Sequence, residues 1–413
     1  MKFLKWLTNI DRRIIFLLMI GVVLVPMLFT IPIPFEVGEP VRKAFNAIDT
    51  LKPGSVIMFS VDYDATSYPE CQPMIVAITN HAFRKDLRII LLGHIPTGLP
   101  LGQEAVERGA AEYNQNHEAE YQQAVEHAGE ELDKYTAGYQ EALKTAAAEF
   151  NQEYTLQHQE TLDSLVFHYL EEVDSAAIKF QKHIFEYWKA VQYAGEEFNR
   201  HAAEYQKILK GDVREQNPGY VRILERAAAE YNKHITEYQE ALEHAADQYL
   251  KRYGIDFVNL GYRPGMVPII VGMGREIRDF YRQDYQNINV DSLPMMVGVH
   301  NYDDVAILAS FAHGIQVETW IAFAGARFGQ QIIGGVTGVV APDLYPYLQS
   351  GQLAGFLGGL KGASEYESLI ERKGLATRGM PAQSTAHILV IILIVIGSIA
   401  EFAMDLAERR RRR

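Results

Sequence analysis

Apolar residues follow three patterns along this chain. The first is the unbroken run. Ile14 to Ile33 (IIFLLMIGVVLVPMLFTIPI) carries no charge, and Ala386 to Met404 (AHILVIILIVIGSIAEFAM) carries only Glu401, near its end. As helices, each is about 30 Å long, the thickness of a bilayer core. Pro26 is compatible with a membrane helix. No small-residue cleavage site follows the first run, so an uncleaved anchor is predicted rather than a removed signal peptide.

The second pattern is a set of short, near-continuous apolar runs. Ser55 to Val61 (SVIMFSV), Leu87 to Gly93 (LRIILLG), Ile255 to Leu260 (IDFVNL) and Val305 to Ser310 (VAILAS) have the character of strands buried on both faces. Residues 70–84 and Met266 to Tyr281 show helical spacing. Strands alternating with helices predict an α/β fold, a doubly wound, mostly parallel sheet. Residues 35–101 hold its first part and 254–385 its second.

Between them lies the third pattern, a long helical insertion over 102–253. From Tyr121 the apolar positions run Val125, Ala128, Leu132, Tyr135, Tyr139, Ala142 and Ala146, a heptad seam of coiled-coil type. Phe150 and Tyr154 follow at steps of four, a stutter that unwinds the supercoil. A second seam includes Phe180, Tyr187, Phe198 and Tyr205, and a third includes Tyr231, Tyr238 and Leu242. AAEYN at 110–114 recurs at 228–232, and YQQAVEHA at 121–128 recurs as YQEALEHA at 238–245, so the segment is internally repetitive. Because the sheet resumes at Ile255, the excursion must return to its base, which predicts antiparallel helices.

Charge sharpens this division. The 413-residue chain has a net charge of −13, yet residues 102–253 alone hold 29 of the 52 acids and 15 of the 39 bases. They also hold 14 of the 23 tyrosines. An acidic chain argues against nucleic acid as a partner. The single cysteine, Cys71, excludes an internal disulfide framework and a Cys-rich zinc site. The insertion's histidines (117, 127, 158, 168, 183, 201, 234 and 244) form no His-x3-His pair, so neither a metal nor another cofactor is expected. Basic residues flank both apolar runs on their outer sides: Lys2, Lys5, Arg12 and Arg13 within 1–13, and Arg409 to Arg413 within 405–413. The positive-inside rule puts these flanks in the cytoplasm and residues 35–385 on the other side.

Two local resemblances appear in the α/β part. Gly338 to Ala341, followed by PDLYPYLQSGQLAG from Pro342, reads strand, helix, "SG", strand. Over these ~25 residues the chain resembles the late part of type 1 periplasmic-binding-protein-like domains, which implies a doubly wound fold. After the first strand, Asp62-Tyr63-Asp64-Ala65-Thr66 is similar to the D-x-D-x-T motif of haloacid-dehalogenase-like phosphatases. That likeness implies Asp62 as nucleophile, Asp64 as proton carrier, and Asp303-Asp304 as the later acidic pair. The departures are that Asp303 and Asp304 precede a strand and that no lysine lies between 253 and 360. More generally, ligands of a doubly wound sheet bind beyond the strands' carboxyl ends, where Asp62, Asp64, His94, Arg263 and Ser310 fall.

Tyr-rich helical arms are suited to protein contacts. The first expectation is therefore a non-enzymatic membrane scaffold, a ring or cage of identical subunits. Its interface would use Tyr121, Tyr135, Tyr139, Phe180, Tyr187, Phe198, Tyr205, Tyr231 and Tyr238, with a second membrane protein as a further partner beside the lipid bilayer. The competing expectation is a membrane-tethered ligand-binding or sensor domain. The third is a phosphatase-like hydrolase.

Overall fold

The computed structural model describes residues 11–28, 36–150 and 218–412. Its elements in chain order are α1 (Arg12–Leu28), α2 (Glu39–Asp49), β1 (Val56–Asp62), α3 (Tyr68–Arg84), β2 (Arg88–Gly93), α4 (Gly98–Asn116), α5 (Glu118–Phe150) and α6 (Pro218–Tyr249). There follow β3 (Phe257–Tyr262), α7 (Met266–Met273), β4 (Ile307–Ala312), α8 (Gln316–Trp320), β5 (Ile332–Val336), α9 (Tyr345–Gln349), β6 (Gly355–Gly358), α10 (Gly359–Leu369) and α11 (Leu375–Arg412). The chain divides into two compact units, Met1–Glu112 with Gly254–Arg413, and Tyr113–Tyr253.

In the first unit the fold is α/β. Six strands form one all-parallel sheet in the order β3-β2-β1-β4-β5-β6. The apolar runs become strands because a parallel sheet is covered on both faces, and every residue of β1 and β4 is buried. Met58 of β1 pairs with Ile90 on one side and Leu308 on the other. Phe59 and Phe311 meet edge to face at 5.3 Å, filling one layer of the core.

Two sequence expectations are corrected here. Gly338 to Ala341 is a turn running into a short 3-10 segment, and the strand lies earlier, at Ile332–Val336. Glycine is required inside that strand: a Cβ at Gly335 would stand 2.5 Å from the ring of Phe311. The helical spacing over 266–281 yields α7 only to Met273, with a separate 3-10 turn at Ile277–Asp279. Gly274 ends the helix close against Phe328, where a side chain would not fit.

Helices α2, α3 and α10 pack against one another beside the sheet's β6 end. Their interface holds a chain of hydrogen bonds. Tyr366 OH donates to His81 Nδ1 at 2.7 Å, and His81 Nε2 donates to Asp49 at 3.3 Å. Phe45 stacks on the His81 ring at 4.6 Å. Burial pushes His81 below its ordinary value, and Lys85 and Arg84 act in the same direction, against the raising effect of Asp49. The unfolded chain therefore takes up a proton before the folded one does. Stability is expected to fall as pH drops through the ordinary histidine value of 6.5. Melting curves of the parent and His81→Gln between pH 8 and pH 5 check this, and parallel curves would refute it.

The second unit holds α5 and α6, which pack side by side. They are antiparallel: Lys251 N donates to Asn114 Oδ1 at 2.7 Å at one end, and Tyr135 stacks on His234 further along. Ala128 and Leu132 of the first seam and Leu242 and Ala245 of the third are buried.

α11 contains a stretch, Leu375–Met404, that is long and apolar enough to cross a membrane. α1 covers part of the first apolar run, and residues 29–33 of that run lie outside the described residues. Large apolar side chains stand exposed around both helices, among them Leu17 (73%), Leu28 (68%), Ile394 (62%) and Phe402 (69%).

Candidate functional site

The strand order reverses between β1 and β4, and the chain leaves these two strands in opposite directions. In doubly wound sheets this reversal opens the ligand crevice at the carboxyl edge. Ser60 and Ser310 are register partners, and Asp62 follows two residues after Ser60, so all three lie on one face of the sheet.

Asp62 closes β1 and is 0% exposed. Its Oδ1 accepts the backbone N–H groups of His94 at 2.6 Å and Ile95 at 3.1 Å, while Oδ2 accepts the Ser60 hydroxyl at 2.5 Å. Ser60 Oγ in turn accepts from Trp320 Nε1 at 3.0 Å, which ties α8 to the strand. The His94 ring lies 5.8 Å from the Trp320 ring, and its Nδ1 is 3.2 Å from the carbonyl of Arg263. The Arg263 guanidinium lies 5.3 Å over the Tyr281 ring and donates to the carbonyls of Phe280 and Tyr262, each at 3.0 Å. Residues from the ends of β1, β2 and β3 and from two later segments thus meet in one polar cluster.

Glycine makes this convergence possible. A Cβ at Gly98 would stand 2.6 Å from the Val61 carbonyl oxygen, and one at Gly102 would stand 2.8 Å from the Val61 side chain. The start of α4 therefore lies directly on the backbone of β1, and the β2–α4 turn carrying His94 is drawn over Asp62.

Three buried polar atoms in this region have no partner: His94 Nε2, Tyr281 OH and Ser310 Oγ. Tyr281 and Ser310 are each 0% exposed. A carbonyl can only accept, so in the neutral ring the Arg263 contact assigns the hydrogen to Nδ1 and leaves Nε2 with a bare lone pair. Burial, reinforced by the charge of Asp62 and opposed by Arg263, pushes the Tyr281 phenol up. It stays protonated and is a donor lacking an acceptor. Burial also raises Asp62, against the lowering effects of His94, Ser60 and the two amides. Beyond β4, His313 Nδ1 in the loop and Gln316 Oε1 at the start of α8 are likewise buried and unpartnered.

Of the residues singled out from sequence, Asp62, His94 and Arg263 are brought together, and Ser310 stands beside Ser60. Asp64 is not part of the cluster. Its carboxylate accepts the hydroxyl and N–H of Thr66, which hold it below its ordinary value. Asp303 and Asp304 precede β4, at the amino edge of the sheet, a strand's length from Asp62. The acidic groups of the D-x-D-x-T likeness are not assembled, and the oxygens of Asp62 are already committed to hydrogen bonds. Tyr281 and Trp320 were not legible as site residues. Both lie in segments whose course only the fold reveals.

In the helical unit, Tyr121 and Tyr238 are half-buried and Tyr135 is 43% exposed. Tyr139 and Tyr231 belong to α5 and α6, but their side chains are outside the described set. Phe180, Tyr187, Phe198 and Tyr205 lie outside the described residues altogether. Among the described residues, no group of three His, Cys, Asp or Glu side chains is placed to hold a metal ion. Comparison with protein-family models, curated proteins and solved structures finds no match.

Proposed function

We propose that the chain is a membrane-anchored ligand-binding protein whose doubly wound domain holds a small uncharged polar molecule at the β1/β4 reversal. The observation that carries this is the pair of buried, unpartnered atoms of opposite character, the His94 Nε2 acceptor and the Tyr281 hydroxyl donor. Leaving such groups unsatisfied costs about 1–3 kcal/mol each, so a group that both donates and accepts would satisfy both. A hydroxyl or amide group does both. A phosphate is disfavoured, because the Arg263 guanidinium is committed to backbone carbonyls and no lysine lies between 253 and 360. In this reading the two apolar runs span the bilayer, their basic flanks face the cytoplasm, and the domain lies outside it.

The second reading is the self-assembling scaffold, with the α5–α6 pair as its contact arm. It is favoured by the exposure of Tyr135 on that pair.

Native mass spectrometry of the full chain released from detergent tests both readings at once. The ligand reading expects one small molecule retained per chain, with the retained fraction reduced at least tenfold in Tyr281→Phe. A chain that carries only water and flies as a single large oligomer overturns the ligand reading and establishes the scaffold.

A further inference from the structure

We infer that α1 and α11 form an antiparallel hairpin inside the bilayer, pinned where the Thr385 hydroxyl of α11 reaches the backbone carbonyl of Val22 in α1. The inference goes beyond the ligand reading and is independent of it. It shares with that reading only the placement of both helices in the membrane.

Pro26 leaves a gap in the hydrogen-bond ladder of α1. In an α-helix the carbonyl of residue 22 accepts from the amide of residue 26. Residue 26 is Pro26 and has no N–H, so the Val22 carbonyl loses its ordinary donor. Shielded between two helices at the edge of the Ala386–Met404 run, it has little access to water as a substitute. Thr385 Oγ1 stands 3.0 Å from Val22 O. The same hydroxyl is also within reach of the carbonyls of Pro381 at 2.9 Å and Ala382 at 3.1 Å on its own helix. It has one hydrogen to give. Those two carbonyls sit within an unbroken helix and have amide donors four residues on. Val22 does not, so the hydroxyl does most good there.

Burial supports the same contact. On α1 the protected positions are Ile15, Met19, Val22, Val23 and Pro26, and Pro26 is the one fully buried residue of that helix. On α11 they include Ala382, Ala386, Leu389, Leu393, Gly397, Ala400 and Met404. Both sets advance by three and four residues, so each is a single stripe along a helix. The α11 stripe is rich in small residues, which let two membrane helices approach closely. From the Val22–Thr385 contact, Met19 and Ile15 continue towards the amino end of α1 and Ala386 to Met404 towards the carboxyl end of α11, with Pro26 and Ala382 on the contact's other side, so the helices are antiparallel. The remaining faces of both helices carry the exposed leucines, isoleucines and phenylalanines and are left for lipid.

The test is a disulfide between the stripes in the full chain, in nanodiscs, on a Cys71→Ala background. Met19→Cys with Leu389→Cys is expected to cross-link within one chain, while Phe16→Cys with Leu389→Cys, from an exposed face, is not. Adding Thr385→Val should slow the first cross-link about threefold, the size of a typical interhelical hydrogen bond in a membrane. Adding Pro26→Ala as well should remove that sensitivity, because residue 26 then supplies the missing amide. A chain that does not enter nanodiscs overturns the membrane placement. One that enters but links only between chains, or not at all, overturns the hairpin. Equal slowing by Thr385→Val with and without Pro26 overturns the pinning contact.

Discussion

Asp62→Ala is expected to destabilise the α/β domain by about 3 kcal/mol or more, a larger loss than any catalytic reading of this residue would require. Its carboxylate is fully buried and accepts three hydrogen bonds, from the amides of His94 and Ile95 and from the Ser60 hydroxyl. Alanine leaves those amides inside the protein with no acceptor, at about 1–3 kcal/mol apiece, and opens a small cavity beside Trp320. The β2–α4 turn then loses its anchor, and His94 moves away from Tyr281. Asp62→Asn separates this effect from one of charge. The amide oxygen still accepts both backbone donors, and the new NH2 can donate to Ser60 Oγ, which already accepts from Trp320. The asparagine variant is therefore expected to fold close to the parent, and to be free of the cost of burying a charge, which raises the aspartate's pKa. Thermal unfolding of the detergent-solubilised chain reads the difference, with a fall in Tm of roughly 6–12 °C for alanine. If alanine melted with the parent, Asp62 would be no anchor, and its carboxylate would have to be assigned to chemistry.

The same residue shows how far sequence alone could lead. Strands β1 to β4 were legible because a strand covered on both faces is apolar at every position, and SVIMFSV and LRIILLG announce themselves. β5 was not, because its Gly334-Gly335 pair dilutes the apolar signal. Those glycines are there for their neighbours: Phe311 occupies the space a Cβ at Gly335 would need, and no reading along one strand reveals what the adjacent strand demands. The rim of strand ends named Asp62, His94 and Arg263, which lie together because a parallel sheet puts all its carboxyl ends on one edge. It also offered Asp64, while the D-x-D-x-T likeness offered the pair Asp303-Asp304. Asp64 turned into its own loop, and the pair fell at the opposite edge because it precedes its strand. Tyr281 and Trp320 could not be found that way, since each comes from outside a strand and reaches the cluster only through tertiary packing. The antiparallel course of α5 and α6 followed from the need to return to the sheet, whereas the identity of whatever those helices touch is not written in their period.

Glu367→Ala is expected to do comparable damage at the other end of the domain, where α10 hands over to α11. Glu367 is 0% exposed. Its carboxylate accepts the N–H groups of Ala376 at 3.1 Å and Thr377 at 2.8 Å, and the Thr377 hydroxyl at 2.7 Å. Those amides belong to the first turn of α11, where backbone donors have no partner within the helix and the dipole favours a negative charge. Arg372 lies between, 3.5 Å from Glu367 and bonded through Nε to Glu112 at 3.0 Å. A Cβ at Gly374 would meet the Glu367 carboxylate and the Arg372 guanidinium, so any larger residue there would have to displace them. Removing the carboxylate strands two amides, a hydroxyl and part of a largely buried guanidinium, which together cost about 3–5 kcal/mol. Glu367→Gln keeps one acceptor oxygen and the volume, so its loss should be about half as large. The damage should also be local first. Hydrogen exchange in the full chain is expected to rise at residues 373–380 before the sheet is affected, because the cap fixes where the apolar helix begins and how firmly the domain is joined to it. An alanine variant with parental exchange at those amides would show that the helix start is held by packing against α10 alone, and that the buried carboxylate contributes nothing to the joint.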